Sequence, residues 1–565
     1  MTSSTVGAEW WRAAVVYQIY PRSFADSDGD GLGDLPGILT HLDYLVDLGI
    51  DVIWLGPVFP SPQADNGYDI TDYQNIDPMY GSLEDLDALV EAVHRRGIRL
   101  ILDLVVNHSS DQHPWFLESR QSRNNPREDW YFWRDPRPGT VGGEPGAEPN
   151  NWGAAFSGPA WTWVPERGQY YLHLFSPSQP DLNWEHTEVR DAVFSMMNWW
   201  LDRGIDGFRM DVINFIAKDR DLPDSPAAPG SFGDGMPHFA NRPELKAYLR
   251  EMNERVFDPR PGRYLRVGEM PHVSPEQARE FTDTEHALLA MVFQFDHVSL
   301  DQEGDKWTPR TASVNDLRDT LVRWQLALSD GGWNSLYWNN HDQPRVVSRY
   351  GNDSRYWRES ATALATVLHL HRGTPYVYQG EELGMTNMPF GSIADLRDIE
   401  SLAYYMDAVE NRGVEPAVAM AALRRQSRDN ARTPMQWTAE AGAGFTTGIP
   451  WIAANPNHTW LNAEAQRHDP RSVYQHYRAL ISLRHSQPVI VTGGFTVVET
   501  GRDQIYAFAR TWGDETIEVY ANLSDSPISF DLPDAGDAVL LLANYREPDR
   551  EAGVLRPWEA HVYER

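Results

Sequence analysis

The amino-acid sequence predicts an α/β fold, a (β/α)8 TIM barrel interrupted after its third strand and followed by a small all-β domain. Three observations lead there. Eight short apolar runs alternate with segments of helical period, the alternation breaks once in a Gly-, Pro- and Asn-rich stretch, and from about residue 491 the pattern changes to short alternating strands.

The first three strand candidates are "VVYQIY" (15–20), "DVIWL" (51–55) and "RLILDLVV" (99–106). Continuous β-branched runs such as the third are what strands buried on both faces look like. Between them, "LPGILTHLDYLVDLG" reads as one helix with Leu35, Ile38, Leu39, Leu42 and Val46 on its buried face. "SLEDLDALVEAVHRRG" opens with Ser82 placed to cap a helix, has Asp85 three residues on, and closes on Gly97. After the interruption, which includes "DPRPGTVGGEPGAEPNNWG", strands are expected at "IDGFRM" (205–210), "YLRVGE" (264–269), "AMVFQFD" (290–296), "NSLYWNN" (334–340) and "TPYVYQG" (374–380). Helical patterns such as "VRDAVFSMMNWWLDRG" and "YWRESATALATVLHLHRG" lie between them. The closing domain begins with "FTVVET", "QIYAFART", "TIEVYANL" and "AVLLLAN".

Composition narrows the function. The 565 residues are 41% apolar and 23% charged, with no run long enough to read as a membrane span. A formal net charge of −32 opposes nucleic acid or an anionic membrane as partner. The absence of cysteine excludes disulfides, thiolate metal sites and a cysteine nucleophile. The opening residues carry neither a basic n-region nor an apolar h-region, so the expected compartment is the cytoplasm. Trp and Tyr are abundant, 22 and 24, and their faces suit stacking against sugars.

In such barrels chemistry sits at the C-terminal ends of the strands. Those ends hold Asn107 and His108, Arg209 and Asp211, Glu269, and His341 and Asp342. Retaining glycoside hydrolysis needs a carboxylate nucleophile and a carboxylic acid about 5 to 5.5 Å apart. Asp211, beside Arg209, is expected to stay ionised; Glu269, after an apolar run and facing other carboxylates, is expected to have a raised pKa. A two-metal hydrolase is the competing chemistry, but His108 and His341 each stand without the paired spacing of metal ligands.

The strings "DLVVNH", "GFRMD", "VGEM" and "NNHDQ" resemble the four short motifs of glycoside hydrolase family 13, and "QPDLNW" (179–184) resembles the extra motif of its oligo-1,6-glucosidase branch. The resemblance covers nearly the whole chain. It implies a catalytic barrel of residues 1–108 and 183–490, an inserted domain of 109–182, and a C-terminal antiparallel β-sandwich domain of 491–565. It implies Asp211 as nucleophile, Glu269 as acid/base and Asp342 as the carboxylate that binds hydroxyls of the distorted sugar. It further implies that Asp69 and Arg432 bind the terminal glucose and close the pocket. Tyr68, Phe156 and Phe175 correspond to its aromatic walls, and His108, Arg209 and His341 to hydrogen-bond donors. Val212, directly after the nucleophile, matches a position where relatives preferring α-1,6 linkages have Val and maltase-like ones have Ala or Thr.

The stretch "ADSDGDGLGDLPG" (25–37) follows the layout of an EF-hand loop but has Gly37 where a bidentate Glu belongs. In the branch resembled, a single calcium or magnesium sits after the first strand. The expected ligands are Asp26, Asp28, Asp30 and Asp34 with the carbonyl of Leu32, holding Ca2+ or Mg2+ in a structural role; no organic cofactor is expected.

The resemblance therefore implies an exo-acting α-glucosidase that takes short oligosaccharides, α-1,6-linked ones in preference, with transglucosylation open to it; the oligomeric state is not fixed by the sequence, and a monomer is expected. Maltase-type α-1,4-glucosidases, trehalose-6-phosphate hydrolases and sucrose-acting relatives are the enzymatic alternatives. Sucrose isomerases are set aside because their RLDRD motif is matched here only by Leu300 and Asp301. Noncatalytic transporter subunits of the same fold lack catalytic carboxylates and carry a membrane helix; this sequence has the carboxylates and no such helix.

Overall fold

The computed structural model describes residues 9–228, 230–261, 263–283, 287–530, 538–546 and 553–565. Eight parallel strands form one sheet: β1 (Val16–Ile19), β2 (Val52–Leu55), β3 (Arg99–Leu104), β4 (Gly207–Met210), β5 (Leu265–Glu269), β6 (Met291–Phe293), β7 (Ser335–Leu336) and β8 (Thr374–Tyr378). Each strand from β1 to β6 pairs with the next, β8 returns to pair with both β7 and β1, and a parallel bridge from Val292 to Asn334 joins β6 to the start of β7. The sheet thus closes into a barrel, and every strand interior except Arg99 and Arg266 is buried. All eight predicted runs become strands. Several are shorter than predicted, because residues such as Tyr337–Asn340 turn out of the ladder at the rim.

Between β3 and β4 the chain builds a three-stranded antiparallel sheet from Trp133–Arg134, Gln169–Leu172 and Trp161–Val164. Its Trp161, Trp163 and Tyr170 share an apolar cluster with Phe215 and Phe239 of the segment after β4, which brings this sheet over the barrel mouth. At the C-terminal end, Gly494–Val497, Ile505–Trp512, Glu515–Asn522, Ala560–Glu564 and Val539–Ala543 form a five-stranded antiparallel sheet. Ile528–Ser529 and Val554–Leu555 pair separately. Among the described residues no helix is long and apolar enough to cross a membrane.

The capping box predicted at Ser82 and Asp85 forms, and Gly97 follows the helix at φ +76°. The helix expected over residues 35–49 does not form as one. It divides at His41 into Leu35–Thr40 and Leu42–Leu48, with His41 at φ −110°, ψ 8°. That break resets the helical phase. Leu35, Ile38 and Leu42 stay buried as expected, but Val46 is 42% exposed and Leu45 and Leu48 take its place against the barrel.

The phase shift makes a test. Leu45→Ala should cost about 2–5 kcal/mol and visibly lower the melting temperature, whereas Val46→Ala should stay within about 0.5 kcal/mol of wild type. The reverse ranking in a thermal melt would restore the continuous helix.

Candidate active site

Strand register brings a cation and its anions to one point. β3 and β4 pair with Asp103 opposite Arg209, and β4 pairs with β5 so that Arg209 lies opposite Val267, two residues before Glu269. Side chains two apart on a strand share a face, so Arg209, Val267 and Glu269 face the same way. Arg209 Nη1 donates to Asp103 Oδ1 at 2.6 Å and to Asp211 Oδ1 at 2.7 Å, and Nη2 is ion-paired with Glu269. Trp54 Nε1 and the Tyr68 hydroxyl donate to Asp103 Oδ2 at 3.0 and 3.1 Å. None of these four charged groups is more than 7% exposed.

The sequence reading gave Arg209 to Asp211 alone; the structure divides it among three carboxylates. Burial raises the carboxyl of Asp211 despite Arg209, and the charges of Glu269 and Asp103 add to the rise. Burial likewise raises Glu269, helped by Asp342 and Asp103. With one guanidinium shared among three buried carboxylates, Asp211 and Glu269 both hold a proton more tightly than an ordinary carboxyl does, and each depends on the charge of the other.

Asp342 has the opposite electrostatics. Burial would raise it, but His341, Arg428 and Arg432 outweigh that and hold it well below the usual carboxylate range. Since burial pushes His341 itself down to about 3, the two arginines supply the charge near neutrality. Both donate to Asp342 Oδ1, Arg432 Nη2 at 2.8 Å and Arg428 Nη1 at 3.3 Å, while Oδ2 lies 3.3 Å from His341 Nε2. His341 is fixed by Gln18, 2.8 Å from its Nδ1, and its ring stacks on Tyr68 at 5.2 Å with 7° between the planes.

Two expected sugar contacts move. Asp69 is fully buried and does not line the cavity: Oδ1 accepts from Ser61 Oγ and the Asp65 amide, and Oδ2 from the Ala64 amide. It shapes the 61–65 turn. The cavity carboxylate is Asp65, bonded to Arg428 Nη2 at 2.9 Å and to Gln179 Nε2 at 3.1 Å, with a carboxyl that burial raises to about 6. Arg432 also stays behind the wall, bonded to Asp342 and the His341 carbonyl, so Arg428 rather than Arg432 closes that end. The reason is helical: the two arginines are four residues apart, and only the first reaches both Asp65 and Asp342.

The resulting cavity is about 360 Å³, lined by the carboxylates Asp65, Asp211, Asp234, Glu269 and Asp342 and by Tyr68, Phe156, Phe175 and Val212 among its apolar walls. Phe156 lies under the Arg428 guanidinium at 4.9 Å. His108 is buried, its pKa pushed down to about 4, with Nε2 3.0 Å from the Tyr68 carbonyl and Nδ1 3.2 Å from Asn107 Nδ2. Asn107 is clamped in turn by Lys218 at 2.8 Å and Asp181 at 3.1 Å. Val212 sits in left-handed backbone at φ +33°, ψ 43°, a strained conformation for a β-branched residue. That turn aims its amide at Glu269 Oε2, 3.1 Å away.

Sequence reasoning missed Asp103, Asp65, Gln179 and Arg428. Asp103 left a signal as the one acid inside an otherwise apolar strand, and Gln179 opens the "QPDLNW" string. Asp65 and Arg428 are surface-like in sequence and gain their role only through packing.

Away from the cavity, the loop after β1 brings carboxylate oxygens of Asp26, Asp28 and Asp34 within 4.8 Å of one another. Asp30 is not part of that trio; its carboxylate accepts from the Leu32 amide at 2.8 Å. The loop is tied to the far end of the chain by Thr446 Oγ1 on Asp26 and by the Trp451 amide on the Gly31 carbonyl.

A model of the α-amylase catalytic domain matches residues 18–493. The chain is 50% identical to an oligo-1,6-glucosidase of Bacillus cereus, over 98% of this chain and 99% of the relative. It is also 50% identical to an oligo-1,6-glucosidase of Parageobacillus thermoglucosidasius, over 98% of each. Among solved structures it is similar to the trehalose-6-phosphate hydrolase of Bacillus licheniformis, with a TM-score of 0.92 and 43% identity over 98% of this chain and 99% of that one.

The shared guanidinium has a pH consequence. Asp103 carries negative charge that raises Glu269, so Asp103→Asn should lower the Glu269 pKa and also free Arg209 to lower it further. The basic limb of kcat/KM against pH should then move to lower pH, with reduced activity throughout. A basic limb that stays or moves up would remove Asp103 from the electrostatics of the pair.

Proposed function

Because the chain belongs to glycoside hydrolase family 13, the α-amylase family, we propose that it is an exo-acting, retaining α-glucosidase that releases glucose from short oligosaccharides and prefers α-1,6 linkages. The observation that carries this reading is the pairing of two unlike carboxyl sites in one small cavity: Asp211 and Glu269 raised around a single arginine, Asp342 lowered by two.

In the proposed reaction, ionised Asp211 attacks the anomeric carbon while protonated Glu269 gives its proton to the leaving oxygen. A covalent glucosyl ester on Asp211 results. Glu269, now a carboxylate, takes a proton from water as the water attacks the same carbon, releasing α-glucose; a sugar hydroxyl in place of water gives transglucosylation. The free oxygen of Asp342 and His341 Nε2 would take hydroxyls of the distorted ring, and Asp65 and Arg428 the non-reducing end. An exo mode is supported by the Asp65–Arg428 pair across one end of the cavity.

The cavity favours an uncharged sugar over a phosphorylated one, since its one lining cation, Arg428, is already paired with Asp65 and Asp398. Sucrose isomerisation is disfavoured further by Asp301, which is fully buried, bidentate with Arg349 and bonded to Gln426. The proposed setting is the cytoplasm, with the chain acting alone.

Val212 lines the cavity beside the reacting carboxylates. Its branched side chain would crowd an α-1,4-linked second glucose, whereas the extra rotatable bond of an α-1,6 linkage swings that ring clear. One or two methyl groups in such a wall are worth roughly 1–3 kcal/mol. We also propose that the loop after β1 binds calcium or magnesium: its donors are all hard oxygens, and Asp26, Asp28 and Asp34 already converge. The ion would supply rigidity there, pinning the loop to residues 445–451.

Turnover of isomaltose, maltose, sucrose, trehalose and trehalose 6-phosphate should rank isomaltose first, with α-glucose as the first NMR-visible product. β-Glucose first would rule out retention. Val212→Thr or Val212→Ala should raise maltose turnover relative to isomaltose by about tenfold or more; an unmoved ratio would leave only the broader α-glucosidase reading.

Excess chelator should lower the melting temperature without abolishing turnover at low temperature, and Asp28→Ala should imitate it. An unchanged melt together with no metal by elemental analysis would make the loop a solvated acidic turn.

A further inference from the structure

Asp398 never reaches the cavity, yet it stands behind both arginines that hold Asp342. It is fully buried. Its Oδ1 accepts from Arg428 Nε at 2.9 Å, lies 2.6 Å from Arg428 Nη2, and is 3.5 Å from Arg432 Nη1. The other oxygen is taken by Ser401, whose amide and hydroxyl donate at 3.1 and 2.7 Å, and the Asp398 amide is held by Asp429 at 3.0 Å. Glu400, itself ion-paired with Lys306, is the next nearest acid, 3.5 Å from Arg428 Nε.

We infer that Asp398 is a positioning residue: it holds Arg428 and Arg432 so that both take one oxygen of Asp342 and leave the other for the sugar. Two neighbouring guanidiniums repel, and two of their anions, Asp65 and Asp342, line the cavity. With no anion behind them, each would swing toward those carboxylates and adopt the bidentate fork that a guanidinium prefers, occupying both oxygens of Asp342. Asp398 opposes this. It engages Arg428 through Nε and Nη2, so only Nη1 is left for Asp342, at 3.3 Å. Arg432 is likewise divided, with Nη1 toward Asp398 and Nη2 on Asp342 Oδ1 at 2.8 Å. The inference rests on the reading of Asp342 as the carboxylate that holds sugar hydroxyls.

Asp398 is also the N-cap of helix Ile399–Met406, and a merely structural role would be that cap. Asparagine caps a helix as well as aspartate does and has the same shape, so Asp398→Asn separates the two. Its amide nitrogen must face a donor, either an arginine or Ser401, so some stability is lost; assayed well below its own melting temperature, kcat on a nitrophenyl α-glucoside should still fall by about tenfold or more, with KM changing far less, because Asp342 acts on the distorted ring. Asp398→Glu, which keeps the charge, should recover part of kcat. Binding gives a second readout. In Asp398→Asn a cationic iminosugar, 1-deoxynojirimycin, should lose more affinity than glucose, since one negative charge has left the site. Wild-type kcat in the folded Asp398→Asn, a kcat that returns to wild type when assayed well below the melting temperature, or equal weakening of the two ligands would overturn the inference. Wild-type turnover of the same glucoside tests the reading of the site separately.

Discussion

One guanidinium answering to three carboxylates is the constraint around which this molecule is organised. Arg209 and Asp103 are buried inside the barrel, with Asp211 and Glu269 beside them at the cavity wall, and there an unpaired charge is very costly and even a paired one is held only by good geometry. The strand register supplies that geometry: Asp103 is opposite Arg209 by backbone pairing, and Glu269 ends the next strand. Charge cannot balance with every carboxyl ionised. The shortage of positive charge raises both Asp211 and Glu269, the condition under which one can serve as acid and the other as nucleophile in the proposed reaction.

A few ångströms away the ratio is reversed. Asp342 receives two arginines on one oxygen and is held ionised. The same residue type therefore titrates in opposite directions on two walls of one cavity, and the difference is set by how many guanidiniums each wall supplies. Asp398 and Asp65 complete the second arrangement, one behind the arginines and one in front. Burying so many charges together is tolerable only because each has several partners, which also makes the cluster stiff.

The barrel supplies the floor, and segments outside it supply the walls. Phe156 and Phe175 come from the stretch between β3 and β4, and Phe215 and Phe239 from the stretch after β4. Phe156 packs on Phe175, and Phe175, Phe215 and Phe239 join in one apolar cluster with Val212. Its packing holds the left-handed turn at Val212, whose strain costs about 1–3 kcal/mol. The turn presents an amide to Glu269 Oε2, while Arg209 pairs with Oε1. Specificity and electrostatics thus meet at one strained residue.

The order of strands and helices was legible in the sequence because burial on both faces imposes a period that local residues must obey, from "RLILDLVV" to "TPYVYQG". The residues at strand ends were legible for the same reason, since a barrel sends them to one rim; Asp211, Glu269 and Asp342 needed only that rule. What tertiary structure decided is everything that depends on distance between separate segments. Helical period could not reveal the break at His41 that rotates Val46 outward and Leu45 inward. Nor could it choose between Asp65 and Asp69, on opposite sides of a turn, or between Arg428 and Arg432, one helical turn apart, of which only the first reaches the cavity. The sharing of Arg209 lay beyond it too. Sequence places a charge beside its neighbours in the chain, whereas a pKa is set by neighbours in space, and Asp103 is 106 residues away from the arginine it binds.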